Sequence, residues 1–146
     1  GVEHRIELVR VKDGVKFYND SIASSPSRTI AGLRSFRQKV ILIAGGYDKH
    51  IPYDVLGPEI CAHVCKVFLC GATAGKIRAS VENCQGYAPG APELIDCGDF
   101  DSAVRAAAAA AGSGDIVLMS PASASFDQFK NFMERGDRFK QIVREL

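Results

Sequence analysis

The run Ser120-Pro-Ala-Ser-Ala-Ser125 follows an apolar tetrad, Ile116-Val117-Leu118-Met119, and leads into Phe126, Phe129, Phe132 and Met133. Ser125 and Gln128 have the spacing of a capping box, so the sequence predicts a helix that opens at Ser125 directly behind a strand. A helix start of this kind offers unpaired N–H groups and partial positive charge, which suit a carboxylate or a phosphate. Lys49 is the second candidate. It follows Gly45-Gly46 at the end of an apolar run and has a long cationic arm able to clamp a carboxylate; the plain alternative is a solvated surface lysine. Other groupings carry less chemistry. Gly71-Ala-Thr-Ala-Gly75-Lys76 has three residues between its glycines where a phosphate loop has four, and Ile77 stands where Ser or Thr would hold magnesium, so it reads as a turn and helix start. GGYDKH lacks the dinucleotide fingerprint. Ser120, Ser123 and Ser125 lie outside a G-x-S-x-G elbow, and none of the three histidines has a triad context. Arg135-Gly136-Asp137 falls at an expected helix break and is given no role.

The elements that must position these residues alternate in period. RIELVRVKDGVKFYND reads as a hairpin about Asp13-Gly14 that ends near Asn19-Asp20. Ser25 is expected to cap a helix with Pro26 at its first position, running to about Phe36. VILIAGG, CKVFLCG, ELIDCG and DIVLMSP are short apolar runs of the kind buried on both faces of a sheet. Helical patterns lie between them at about Ala74 to Glu82, Phe100 to Ala111, and Ser125 to the C-terminus with a break at Gly136. Strands alternating with helices predict an α/β fold: a Rossmann-like, mostly parallel sheet flanked by helices on both faces, with an N-terminal antiparallel hairpin. Ligands bind such sheets outside the carboxyl ends of the strands. The loops NDSIASSP, GGYDKH, GATAGK and SPASAS all fall on that rim; any one of them alone is better explained as a turn, and it is their sharing one edge that points to a site.

Composition sets the frame. The 146 residues suit one domain, 1–146, and 47% hydrophobic with 24% charged residues is ordinary for a globular chain. A net charge of +1 with no basic stripe gives no argument for nucleic acid. No apolar run is long enough to span a membrane, and no signal pattern opens the chain. A start at Gly1 rather than Met suggests a fragment or a processed product. The five cysteines, Cys61, Cys65, Cys70, Cys84 and Cys97, lack paired metal-ligand spacing and read as reduced, mostly structural thiols, with a cytoplasmic location expected.

Taken together, GVEHRIE, FYNDSIASSP, LIAGGYDK and LMSPASASFDQFKNFMERGDRFKQIVREL resemble the C-terminal domain of the Mur ligase family, on its D-glutamate-adding branch, over essentially the whole chain. Other Mur ligases and folylpolyglutamate synthases share the architecture but carry His-Asn-Pro or His-His-Pro near the counterpart of Asn19-Asp20-Ser21, and no such histidine is present here. The resemblance implies a cytoplasmic ATP-dependent ligase of peptidoglycan synthesis. In that family ATP phosphorylates the carboxylate of UDP-N-acetylmuramoyl-L-alanine, and the amine of D-glutamate attacks the acyl phosphate. ATP and Mg2+ would be held mainly by a central domain, which with an N-terminal UDP-binding domain lies outside this chain, so the chain alone would be inactive. By motif position Lys49, Ser125 and Phe132 would contact D-glutamate, with Ser24 helping through its hydroxyl. His4, Arg5 and Asp20 would lie toward the nucleotide and the hinge. No catalytic residue and no metal ligand is expected in this part. Ile22, Ser24 and Ser25 stand where many relatives have Lys, Thr and Asn, and Ser123 stands for a Cys. A free-standing nucleotide-binding module and a non-catalytic interaction domain are the alternatives from other function classes.

Overall fold

A computed structural model of the chain describes residues 2–146. Its central sheet has six strands in the order β1-β2-β6-β3-β4-β5. These are β1 (Glu7–Lys12), β2 (Val15–Asn19), β3 (Val40–Ala44), β4 (Val64–Cys70), β5 (Glu93–Gly98) and β6 (Ile116–Met119). Only the β1–β2 pair is antiparallel; β2, β6, β3, β4 and β5 run parallel, so their carboxyl ends share one edge. The hairpin turns on Asp13 and Gly14, both at positive φ, as a two-residue turn matched to strand twist requires.

Alternation along β3 explains why the run is apolar throughout. Ile41 and Ile43 point to one face, where they meet Phe100, Ala103 and Val104 of α4 (Phe100–Ala110) and Phe139, Ile142 and Val143 of α5 (Phe132–Arg144). Val40, Leu42 and Ala44 point to the other face. There they meet Leu33 of α1 (Pro26–Leu33), Leu56 and Ile60 of α2 (Leu56–His63), and Ile77 and Val81 of α3 (Ala74–Glu82). The expected parallel sheet with helices on both faces is therefore the fold.

Five local expectations are corrected. α1 ends at Leu33 rather than Phe36, because Ser35 and Phe36 donate to carbonyls three residues back and close tight turns instead of continuing the helix. Ser25 occupies its N-cap, but its hydroxyl makes no capping bond. α2 has no counterpart in the sequence reading, since Gly57-Pro58 resembles a turn; Pro58 lies in the first helical turn, where a missing N–H breaks no intrahelical bond. The last helix starts at Phe132, not Ser125. Asn131 is its N-cap and accepts from the Glu134 N–H at 2.8 Å. The Gln128 side chain does not return to the Ser125 N–H. It accepts instead from the Phe100 N–H at 3.3 Å, and Phe129 packs edge-on against the Phe100 ring, so residues 126–130 reach across to α4 as a turn. Gly136 lies inside α5 without a break.

Candidate functional site

The polar loops at the carboxyl edge are tied to one another. Gly45, at φ +114°, has no room for a side chain, because a Cβ would fall 1.9 Å from the Cys70 carbonyl. Its N–H donates to Pro121 O, and the Tyr47 N–H donates to Ala124 O, which joins the loop after β3 to the loop after β6. A buried chain of hydroxyls links the loop after β4. The Gly46 N–H donates to Thr73 Oγ1 at 3.0 Å, and Thr73 Oγ1 lies 2.7 Å from Ser123 Oγ. Ser123 Oγ lies 2.7 Å from the Tyr53 hydroxyl, which donates to Ala122 O at 3.0 Å. The Tyr53 end fixes the direction: its one proton goes to Ala122 O, so Ser123 donates to Tyr53 and accepts from Thr73. Every hydroxyl in the chain is thereby satisfied.

The loop after β2 is anchored by α5. Arg135 is 2% exposed, and its guanidinium donates to Ser21 Oγ (3.0 Å), Ser21 O (2.7 Å) and Ser123 O (2.8 Å). Burial pulls its pKa down to about 10, against the opposing influence of Cys70 and Asp127, and it remains a cation at neutral pH. Ser21 Oγ in turn donates to Phe132 O at 2.6 Å. The sequence reading gave Arg135 no role. A signal was visible, because Arg135 interrupts the apolar stripe of Phe132, Phe139 and Val143 on a helix that otherwise buries that face.

Of the expected D-glutamate residues, Lys49 is exposed and, among the described residues, forms no ion pair or hydrogen bond. Its neighbour Asp48 is already held by Lys76 Nζ (2.9 and 3.0 Å), a bond that, with the His50 N–H, holds the Asp48 carboxyl below its ordinary range. Lys49 is thus an unneutralised cation at the rim. Ser125 is buried immediately after Ala124, and its carbonyl closes the turn to Gln128 and Phe129. It does not cap a helix. Phe132 is half-buried at the first turn of α5, edge-on to the His4 ring at 5.9 Å. Ser24 is half-buried in the β2 loop, and no hydrogen bond joins it to the other three among the described residues. The Tyr47–Ala124 bond thus joins the loop of Lys49 to that of Ser125, while Phe132, on α5, is tied through Ser21 to the loop that carries Ser24.

The expected nucleotide-facing group forms a second patch. Asp20 is buried and accepts from Ser120 Oγ at 2.7 Å and from the Ile6 N–H at 3.2 Å. Burial pushes its pKa up to about 6, although these bonds and the nearby Arg5 and Arg28 favour the charged form. Arg5, Asp20 and Arg28 line a cavity of about 270 Å³. His4 is buried against α5, where Gly136 is indispensable, since a Cβ there would fall 2.1 Å from His4 Nδ1.

Two further clusters have the residue types of a cofactor site, and neither fits one. Glu3, His4 and Asp137 bring their ligand atoms together, with His4 Nε2 3.8 Å from each carboxylate. The Ser21 N–H fixes Asn19 Oδ1, so Asn19 Nδ2 donates to His4 Nδ1 at 2.8 Å, and the imidazole hydrogen sits on Nε2, the atom a metal would need. Lys140 Nζ also occupies Glu3 at 2.7 Å. The group does not suit a metal ion. The GATAGK loop does not suit a phosphate either, because Lys76 is committed to Asp48 and Gly71 lies against Gly46.

The sequence pattern of the Mur ligase, glutamate ligase domain, matches residues 4–123. The chain belongs to the Mur ligase family. It is 59% identical over its full length to the UDP-N-acetylmuramoylalanine–D-glutamate ligase of Acetivibrio thermocellus and 52% identical to that of Clostridium beijerinckii. It spans 32% of the length of each of these ligases. Solved Mur ligase structures share the fold. A murein peptide ligase from Psychrobacter arcticus superposes with a TM-score of 0.62 at 14% identity, over 100% of this chain and 29% of that one. A crystallised domain assigned to a UDP-N-acetylmuramate:L-alanyl-gamma-D-glutamyl-medo-diaminopimelate ligase of Haemophilus ducreyi gives 0.61 at 19% identity, over 97% of this chain and 96% of that one. No helix among the described residues of this Mur ligase domain is long and apolar enough to cross a membrane.

Proposed function

We infer that the chain is the amino-acid-binding part of an ATP-dependent ligase that adds D-glutamate to UDP-N-acetylmuramoyl-L-alanine in cytoplasmic peptidoglycan synthesis. The observation that carries this reading is the 59% identity, across the whole chain, to a ligase named for that reaction. The rim supplies matching chemistry. Among the described residues Lys49 is a cation with no partner to displace, so it can meet a substrate carboxylate without breaking an existing ion pair. The Ser125 turn, joined to the Lys49 loop by the Tyr47–Ala124 bond, would offer a polar neighbour and Phe132 an apolar one.

ATP and Mg2+ belong mainly to the part of the ligase outside this chain, since neither the GATAGK loop nor the Glu3–His4–Asp137 group fits them. The chain alone therefore has no ligase or ATPase activity. The test is phosphate release by the full-length ligase with UDP-N-acetylmuramoyl-L-alanine, ATP and one amino acid at a time. Turnover should require D-glutamate, and the isolated chain should release no phosphate above a heat-treated control. Preference for a diamino acid, or turnover by the isolated chain, overturns the reading.

A further inference from the structure

Buried charges in proteins are ordinarily paired with an opposite charge, because an isolated one costs several kcal/mol in a low-dielectric interior. Arg135 departs from that pattern. Among the described residues it forms no ion pair; its three hydrogen bonds all go to uncharged oxygens, and Asp127 and Cys70 act on it only through space. The acceptors are not scattered. Two belong to Ser21 in the loop after β2 and one to Ser123 in the loop after β6, while Gly46 of the loop after β3 packs so that a Cβ would lie 3.5 Å from Arg135 Nη1. A planar fork is the side chain able to reach both loops at once, and a lysine ammonium cannot reproduce it.

We propose that Arg135 is the positioning residue of the amino-acid site: its guanidinium sets the separation of the Ser21 and Ser123 loops and so holds Ser24, Ser125 and Phe132 at the distance from Lys49 that a dicarboxylate needs. The proposal rests on the D-glutamate reading above. Arg135 touches no substrate. It acts through Ser21, whose Oγ passes the constraint to Phe132 O, and through Ser123, two residues before Ser125. Its charge beneath the rim, offset through space by Asp127 but by no ion pair among the described residues, adds positive potential where an anionic substrate would dock.

The test uses the full-length ligase with Arg135→Lys, Ser21→Ala and Lys49→Ala. Arg135→Lys should raise the KM for D-glutamate about tenfold or more and leave the KM for ATP within about twofold. Ser21→Ala keeps the guanidinium but removes its Oγ acceptor, and should raise the same KM by less. A residue that only supports the fold would instead lower the thermal midpoint and the active fraction, with KM unchanged. Should Arg135→Lys fail to fold, Ser21→Ala decides. An unchanged KM for D-glutamate in either folded variant, or equal rises for ATP and D-glutamate, overturns the proposal. If Lys49→Ala also leaves KM for D-glutamate unchanged, the functional reading falls with it; if Lys49→Ala alone raises it, only the role of Arg135 falls.

Discussion

Lys49→Ala in the full-length ligase isolates the charge at the rim. The side chain is exposed and, among the described residues, unpaired, so its loss should move stability by no more than about 0.5 kcal/mol, the usual range for a surface substitution. The loop keeps its shape, because Asp48 stays bonded to Lys76 and Tyr47 to Ala124. What is removed is one charge-assisted hydrogen bond to a carboxylate, worth about 1.5 to 3 kcal/mol, or roughly ten- to a hundredfold in affinity. Steady-state kinetics with each substrate varied in turn should therefore show the KM for D-glutamate rising by that factor while the KM for ATP holds, on protein that melts like wild type. Lys49→Arg, which keeps the charge on a different geometry, should lose less. Equal losses for ATP and D-glutamate, or no loss at all, would refute the placement of a substrate carboxylate at Lys49.

Gly136→Ala should destabilise the fold by about 2 kcal/mol or more in urea titration, because driving a methyl into the His4 ring costs about 3 kcal/mol and the helix gain from alanine returns only about 1; a neutral effect would mean His4 is not seated there. Ser123→Ala breaks the Thr73–Ser123–Tyr53 chain and should cost about 1 to 3 kcal/mol, with Ser123→Cys intermediate, and equal stabilities would show that the hydroxyls find other partners. Asp20, raised from 3.8 to about 6, binds its proton more tightly folded than unfolded, so its contribution favours the fold below about pH 4 and is lost as pH rises through about 6. The stability of wild type relative to Asp20→Asn should fall by on the order of 2 to 3 kcal/mol across that window, and a pH-independent difference would sink the assignment. Native protein should alkylate at exposed Cys65 and resist at Cys70, whose thiol burial pushes up to about 12, and all five thiols should titrate after denaturation.

Much of the scaffold was legible because its signals are local. A run such as Val40–Ala44 can be apolar at every position only if both faces are buried, and the helical patterns between such runs implied helices on both sides. Asp13-Gly14 specified its own hairpin, and the shared rim followed once the strands were parallel. The misplaced helix start shows where local reasoning stops. Ser125 and Gln128 have capping-box spacing, and so the sequence seemed to offer a helix terminus to an anion. In the fold, Gln128 serves the Phe100 N–H, which lies 28 residues away, and Asn131 caps the helix through Glu134. A tertiary hydrogen bond and the Phe129–Phe100 contact outcompete a local cap worth about 1 kcal/mol.

On the reading proposed above, this correction changes how the site would work. With no helix opening at Ser125, the positive character of the rim cannot come from a helix N-terminus there. It comes from side chains, the exposed ammonium of Lys49 and the buried guanidinium of Arg135. The second of these was hidden for a physical reason: a cation on the apolar face of α5 makes sense only when the acceptors are known, and they lie at Ser21, 114 residues away, and at Ser123. The Arg-Gly-Asp run, given no role from sequence, is thereby accounted for residue by residue. Arg135 ties the rim loops together, and Gly136 makes room for His4. Asp137 lies 3.8 Å from both His4 Nε2 and Lys140 Nζ, which binds the N-terminal segment to α5 through Glu3 and Glu7. Because the same helix grips the loop after β2 and the segment that enters the domain, displacement of that segment should be felt at Phe132 before it is felt at Lys49.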